Sequence, residues 1–102
     1  MALSTIIEQN KTKISELCEL HGVRKLYAFG SVLSNNFNEN SDIDLLVDFK
    51  SSPKTDPFLN FFDFIYSLEE LFGRKVDLVD ETALTNKCFK DNIFASRKLI
   101  YG

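Results

Sequence analysis

The segment Ile43–Phe49, IDLLVDF, constrains the fold of this chain more than any other. It is a nearly continuous apolar run, too short for an interior helix and bounded by polar residues, so it reads as a strand. Two carboxylates stand at its start, Asp42 and Asp44. Asp is depleted in strands, and an unpaired buried charge is costly. Residues i and i+2 of a strand point to one face, with about 6.5–7 Å between them along the chain. Two carboxylates so placed suit hard divalent cations. Mg²⁺ is usually held by a few carboxylates, water and substrate phosphate oxygens.

The flanking sequence supplies the other elements. Leu3, Ile6, Ile7, Ile14, Leu17, Cys18 and Leu20 recur at helical period, and Gly22 stops that first helix. Thr5 and Glu8 have capping-box spacing, with Ser4 as a competing cap. Val23–Phe29 reads as the first strand, stopped by Gly30-Ser31. Ser34–Ser41 carries four Asn and reads as a loop. Asp56-Pro57 opens a second long helix with a broad apolar face from Phe58 to Phe72, ended by Gly73. Lys75–Val79 is a short third strand. Thr82 is placed as the cap of a last helix over Ala83–Phe94, and the tail Lys98–Tyr101 is consistent with either a strand or a helix end. Short connections imply one sheet with helices packed against it, an α/β layered domain (α+β by strict class).

The third strand embeds Asp77 among apolar residues, as the second embeds Asp44. If the two strands are neighbours, Asp77 faces the same site, where it would hold a second metal and help deprotonate an attacking hydroxyl. Asp48 and Asp80 are weaker candidates, read as solvated or capping residues. Gly30 allows a tight turn and close approach to a ligand, and Ser31 offers N–H and hydroxyl donors to phosphate if it starts a helical turn.

Composition removes other classes. The chain has 102 residues, room for one domain (1–102) and no second one. Its net charge is −3 and its basic residues occur as scattered pairs, which excludes a dedicated nucleic-acid surface. No apolar stretch approaches a membrane span, and the N-terminus lacks the pattern of a signal peptide. Cys18 and Cys88 read as buried thiols of a reducing cytoplasm. His21 is the only histidine, so a multi-histidine zinc site is excluded, and its place beside Gly22 reads as a helix end. Ten Phe can fill a dense core; most are expected there, with some left over for a partner surface.

Taken together, Phe29-Gly30-Ser31, Ser41-Asp42-Ile43-Asp44-Leu45-Leu46-Val47 and Val76-Asp77-Leu78-Val79 resemble the nucleotidyltransferase superfamily of the DNA polymerase β type. The size is similar to its minimal nucleotidyltransferases, the MntA-like antitoxins of HEPN/MNT toxin–antitoxin pairs. The resemblance implies a small mixed sheet with flanking helices in an α-β-α-β-α-β-α order. It implies that Asp42, Asp44 and Asp77 bind two Mg²⁺ ions, and that Gly30, Ser31 and Ser41 contact ATP. It implies transfer of AMP to a hydroxyl, a tyrosine of a partner HEPN toxin. Two alternatives stay open: a weak or inactive binding protein that neutralises its partner by occlusion, and the catalytic subunit of a two-chain enzyme with a small-molecule acceptor. The sequence departs from the family at Val32-Leu33-Ser34-Asn35, where many members carry two arginines and a glycine. Arg24, Lys25, Lys50 and Arg74 are the cations available to substitute for those arginines as phosphate ligands.

Overall fold

The computed structural model describes residues 5–30, 41–50 and 56–102. Helices α1 (Thr5–Gln9) and α2 (Lys11–Leu20) lead into strand β1 (Val23–Phe29). Strand β2 (Ile43–Phe49), helix α3 (Pro57–Phe72) and strand β3 (Val76–Asp80) follow. A 3₁₀ turn (Glu81–Ala83), helix α4 (Lys87–Ser96) and strand β4 (Lys98–Tyr101) follow in turn. The four strands form one mixed sheet in the order β3-β2-β1-β4. β1 runs antiparallel to β2 and to β4, and β2 runs parallel to β3.

The two faces of this sheet are built differently. The side chains of Ile43, Leu45 and Val47 point to one face. There they join Val23, Leu26, Ala28, Val76, Leu78 and Ile100 in a core closed by Ile7, Ile14, Cys18, Phe64, Leu68 and Phe72 of the helices. The other face is apolar only in part: Phe29, Leu46 and Ile93 are buried, with Tyr27, Val79, Leu84 and Phe94 packed around them. Helix α4 covers that part. The Arg97 guanidinium anchors its end, 4.0 Å from the ring centroids of both Tyr27 and Phe94 and 3.5 Å from the Glu81 carboxylate.

Local signals explain most boundaries. Asp56 accepts a hydrogen bond from the Phe58 amide at 2.9 Å, with Pro57 at the first helical position, and Gly73 closes α3 in a left-handed conformation. Other expectations need correction. The first helix is split at Asn10, whose side-chain amide donates back to the Ile6 carbonyl at 2.8 Å instead of capping α2. Thr5 already lies inside α1, and Ser4 is outside the described residues. The last helix is capped by Asn86, whose Oδ1 accepts from the Phe89 amide. Thr82 is instead captured by Asp80, to which it donates both its amide and its hydroxyl, and this turn delays the helix by four residues. The tail is a strand because β1 has an open edge for it. Cys18 is buried but Cys88 is exposed on α4. The Phe-rich helix is not all core: Phe58, Leu59, Phe62 and Tyr66 are exposed. The expected helical turn after Gly30-Ser31 lies outside the described residues.

Candidate active site

The carboxylates stand on the second face, at the starts of β2 and β3. In the parallel β2–β3 ladder Asp44 is the register partner of Asp77, so the two side chains point to the same face on adjacent strands. Neighbouring strands lie about 4.8 Å apart, which is close for two like charges without a cation between them. Asp44 is half-buried, whereas Asp77 and Asp42 are exposed. Asp42 precedes the first residue of β2 and by alternation belongs to the same side.

Phe29 is opposite Asp44 in the β1–β2 ladder, which brings the end of β1 against the same carboxylate. Gly30 follows with φ +75°, a left-handed conformation. A Cβ added there would collide with Asp44 Oδ2 and stand 3.3 Å from its Cγ. Glycine is therefore required twice, for its dihedral and for the approach of backbone to carboxylate. Ser31 and the Val32–Asn35 departure lie outside the described residues. Ser41 is at this end of the sheet, and its carbonyl accepts a hydrogen bond from Arg74 Nη1 at 3.1 Å.

Among the described residues, no three His, Cys, Asp or Glu side chains form a ready-made metal cage. The donor set nevertheless fits Mg²⁺ in kind: oxygen ligands only, with Asp44 and Asp77 side by side on adjacent strands and Asp42 and Asp77 exposed.

The remaining candidates fall elsewhere. Asp48 is buried, not solvated: Arg24 grips it with Nε at 3.0 Å and Nη2 at 2.9 Å. Asp80 is a capping residue, as expected. Of the four cations weighed as phosphate ligands, Arg24 is engaged at the far end of β2 and Lys25 is in register with Asp48 there. Lys50 follows that same end, and only Arg74 stands beside the carboxylates. Sequence reasoning missed Glu69, whose Oε2 accepts from the Val76 amide at 3.0 Å and fixes the start of β3. No local signal marks that contact. A hollow of about 270 Å³ lined by His21, Phe49, Lys50, Asn60, Asp80 and Thr82 lies at the opposite end of the strands, about 17 Å from Asp44 along β2. Its polar groups are largely engaged locally: His21 Nδ1 bonds the Leu17 carbonyl, Asn60 donates to the His21 carbonyl, and Thr82 is held by Asp80. It carries no comparable constellation of acids.

Known proteins share the sequence pattern and the fold over most of the chain. The polymerase beta nucleotidyltransferase family matches residues 12–102. The protein adenylyltransferase MntA of Thermococcus cleftensis is 37% identical over 86 residues, covering 84% of this chain and 81% of that one. A structure described as a minimal nucleotidyltransferase superposes with a TM-score of 0.75 at 28% identity over 90% of both chains. The MNT antitoxin in complex with a tri-AMPylated Shewanella oneidensis HEPN toxin shares the fold, with a TM-score of 0.67 at 22% identity over 94% of this chain and 72% of that one. The chain belongs to the polymerase beta nucleotidyltransferase family, among its protein adenylyltransferases.

Proposed function

We propose that this single domain transfers AMP from ATP to a tyrosine hydroxyl of a HEPN-domain toxin, in the cytoplasm and with Mg²⁺, and so acts as an antitoxin. The observation that carries the reading is Gly30 set against Asp44, with Asp77 in register beside it. Backbone that approaches a carboxylate this closely leaves no space for a side chain at position 30, as expected where main chain and carboxylate converge on one ligand.

The roles follow from chemistry. The acceptor oxygen attacks the α-phosphorus, the bond to the bridging oxygen of the β-phosphate breaks, and pyrophosphate leaves. Asp42, Asp44 and Asp77 are the residues that would hold Mg²⁺, which when bound neutralises charge on the triphosphate and on the leaving group. Asp77, the exposed member of the register pair, would accept the proton of the attacking hydroxyl. Gly30 and Ser41, and Ser31 by the resemblance alone, would contact the nucleotide. The MntA relative and the AMPylated toxin complex support the choice of a protein acceptor.

A second reading, neutralisation by occlusion, is favoured by the loss of both arginines in the Val32–Asn35 segment. One experiment separates the two. The chain is incubated with a HEPN partner, Mg²⁺ and α-labelled ATP, beside its Asp44→Asn variant and a partner lacking the acceptor tyrosine. Label on the partner that requires both Asp44 and the tyrosine is expected. A stable, neutralised complex with no label would overturn transfer in favour of occlusion.

A further inference from the structure

We propose that Arg74 is a positioning residue that acts through Asp42. Asp44 and Asp77 are fixed by the β2–β3 ladder, but Asp42 lies one residue before β2 begins. Its backbone is held instead by two cross-links to the α3–β3 junction. On one side the Arg74 guanidinium donates to the Ser41 carbonyl at 3.1 Å. On the other the Ile43 amide donates to the Lys75 carbonyl at 3.1 Å. Asp42 is thus suspended between them.

The junction is itself braced. Glu69 accepts from the Gly73 amide through its carbonyl at 2.8 Å and from the Val76 amide through its carboxylate at 3.0 Å. The turn Gly73-Arg74-Lys75 is therefore tied at both ends to the last turns of α3. A rigid turn presents a rigid guanidinium, and the planar fork of arginine keeps donors in fixed directions that a lysine ammonium does not. Because the Ser41–Asp42 peptide is anchored through its carbonyl, the exposed Asp42 carboxylate stays above the Asp44–Asp77 step.

The catalytic part of this inference rests on the adenylyltransferase reading; the structural part does not. The test therefore has two readouts on the full chain. Amide hydrogen exchange is measured for Arg74→Ala and Arg74→Lys. Exchange at Ile43 about tenfold faster in Arg74→Ala, the scale of one lost hydrogen bond, with partial recovery in Arg74→Lys and no change at Leu45 or Val47, is expected. Unchanged exchange at Ile43 would overturn the inference whatever the activity proves to be. AMP transfer is then compared for Arg74→Ala, Asp42→Asn and the double variant. A lower kcat with little change in the KM for ATP, and a double variant no slower than Asp42→Asn alone, are expected. A raised KM with additive losses would overturn the inference by making Arg74 a direct triphosphate ligand. If no variant and not even the unmutated chain transfers AMP, the functional reading fails while the exchange result still decides the role of Arg74.

Discussion

The two faces of the sheet use the same strands for opposite ends. Toward α2 and α3, β2 presents Ile43, Leu45 and Val47, all fully buried. Toward α4 it presents Asp44, Leu46 and Asp48, of which Leu46 alone is apolar. The first face gains stability from apolar area removed from water, which is non-directional and tolerant of detail. The second carries charges at both ends: Asp48 is buried and gripped by Arg24, whereas Asp42 and Asp77 are exposed beside the half-buried Asp44. The contrast shows how one seven-residue strand can both hold the domain together and present carboxylates at one edge, because alternation separates the two tasks residue by residue.

The contrast can be broken most strongly from the polar side. Asp44→Asn is isosteric and should leave the melting temperature nearly unchanged while lowering AMP transfer by about a thousandfold, the scale of a lost electrostatic group in an active site. Activity within tenfold of the unmutated chain would remove Asp44 from the machinery. The reciprocal change, Leu45→Ala, should cost about 3 kcal/mol of folding stability in a denaturant titration, while the folded fraction keeps its rate per molecule. Gly30→Ala couples the two faces. The left-handed backbone costs an alanine about 1 kcal/mol, and its methyl must displace the Asp44 carboxylate, so a modest stability loss should accompany a rate loss of about tenfold or more.

The smallest effect tests the dryness of the helical side. Burial, with a smaller contribution from the charge of Glu19, pushes the Cys18 thiol up from 9.0 to about 12. Above pH 9 the unfolded chain releases this proton and the folded chain retains it, so stability falls as pH rises from 9 toward 12. At pH 10 the loss should be about 1.4 kcal/mol, and Cys18→Ala should remove this part of the slope. An unchanged slope in that variant would mean that α2 lets water reach the thiol.

Much of this arrangement was legible in the sequence, for identifiable reasons. β1, β2 and α3 have the expected limits because Gly30, the apolar run and Asp56-Pro57 act within a few residues. The pairing of Asp44 with Asp77 followed once the two strands were neighbours, which is the usual consequence of a helix-linked parallel pair. Features set by distant partners were not legible. Lys98–Tyr101 becomes a strand only because β1 offers an edge. Asp48 is buried only because a bulged Arg24 reaches it from across the ladder. Asn10 and Asp80 redirect a helix start through side-chain bonds that compete with the expected caps. Arg74 was legible as a cation near a strand but not as a donor to Ser41, 33 residues away in sequence.

On the proposed function, nucleotide binds at the carboxylate end of the sheet. The most direct measurement is backbone amide shift mapping of the full chain titrated with a non-hydrolysable ATP analogue and Mg²⁺. The largest shifts are expected at Gly30, Asp42, Asp44 and Asp77, with little change at His21, Lys50 and Asn60. Shifts centred on His21, Lys50 and Asn60, with Gly30 and Asp44 unmoved, would contradict it.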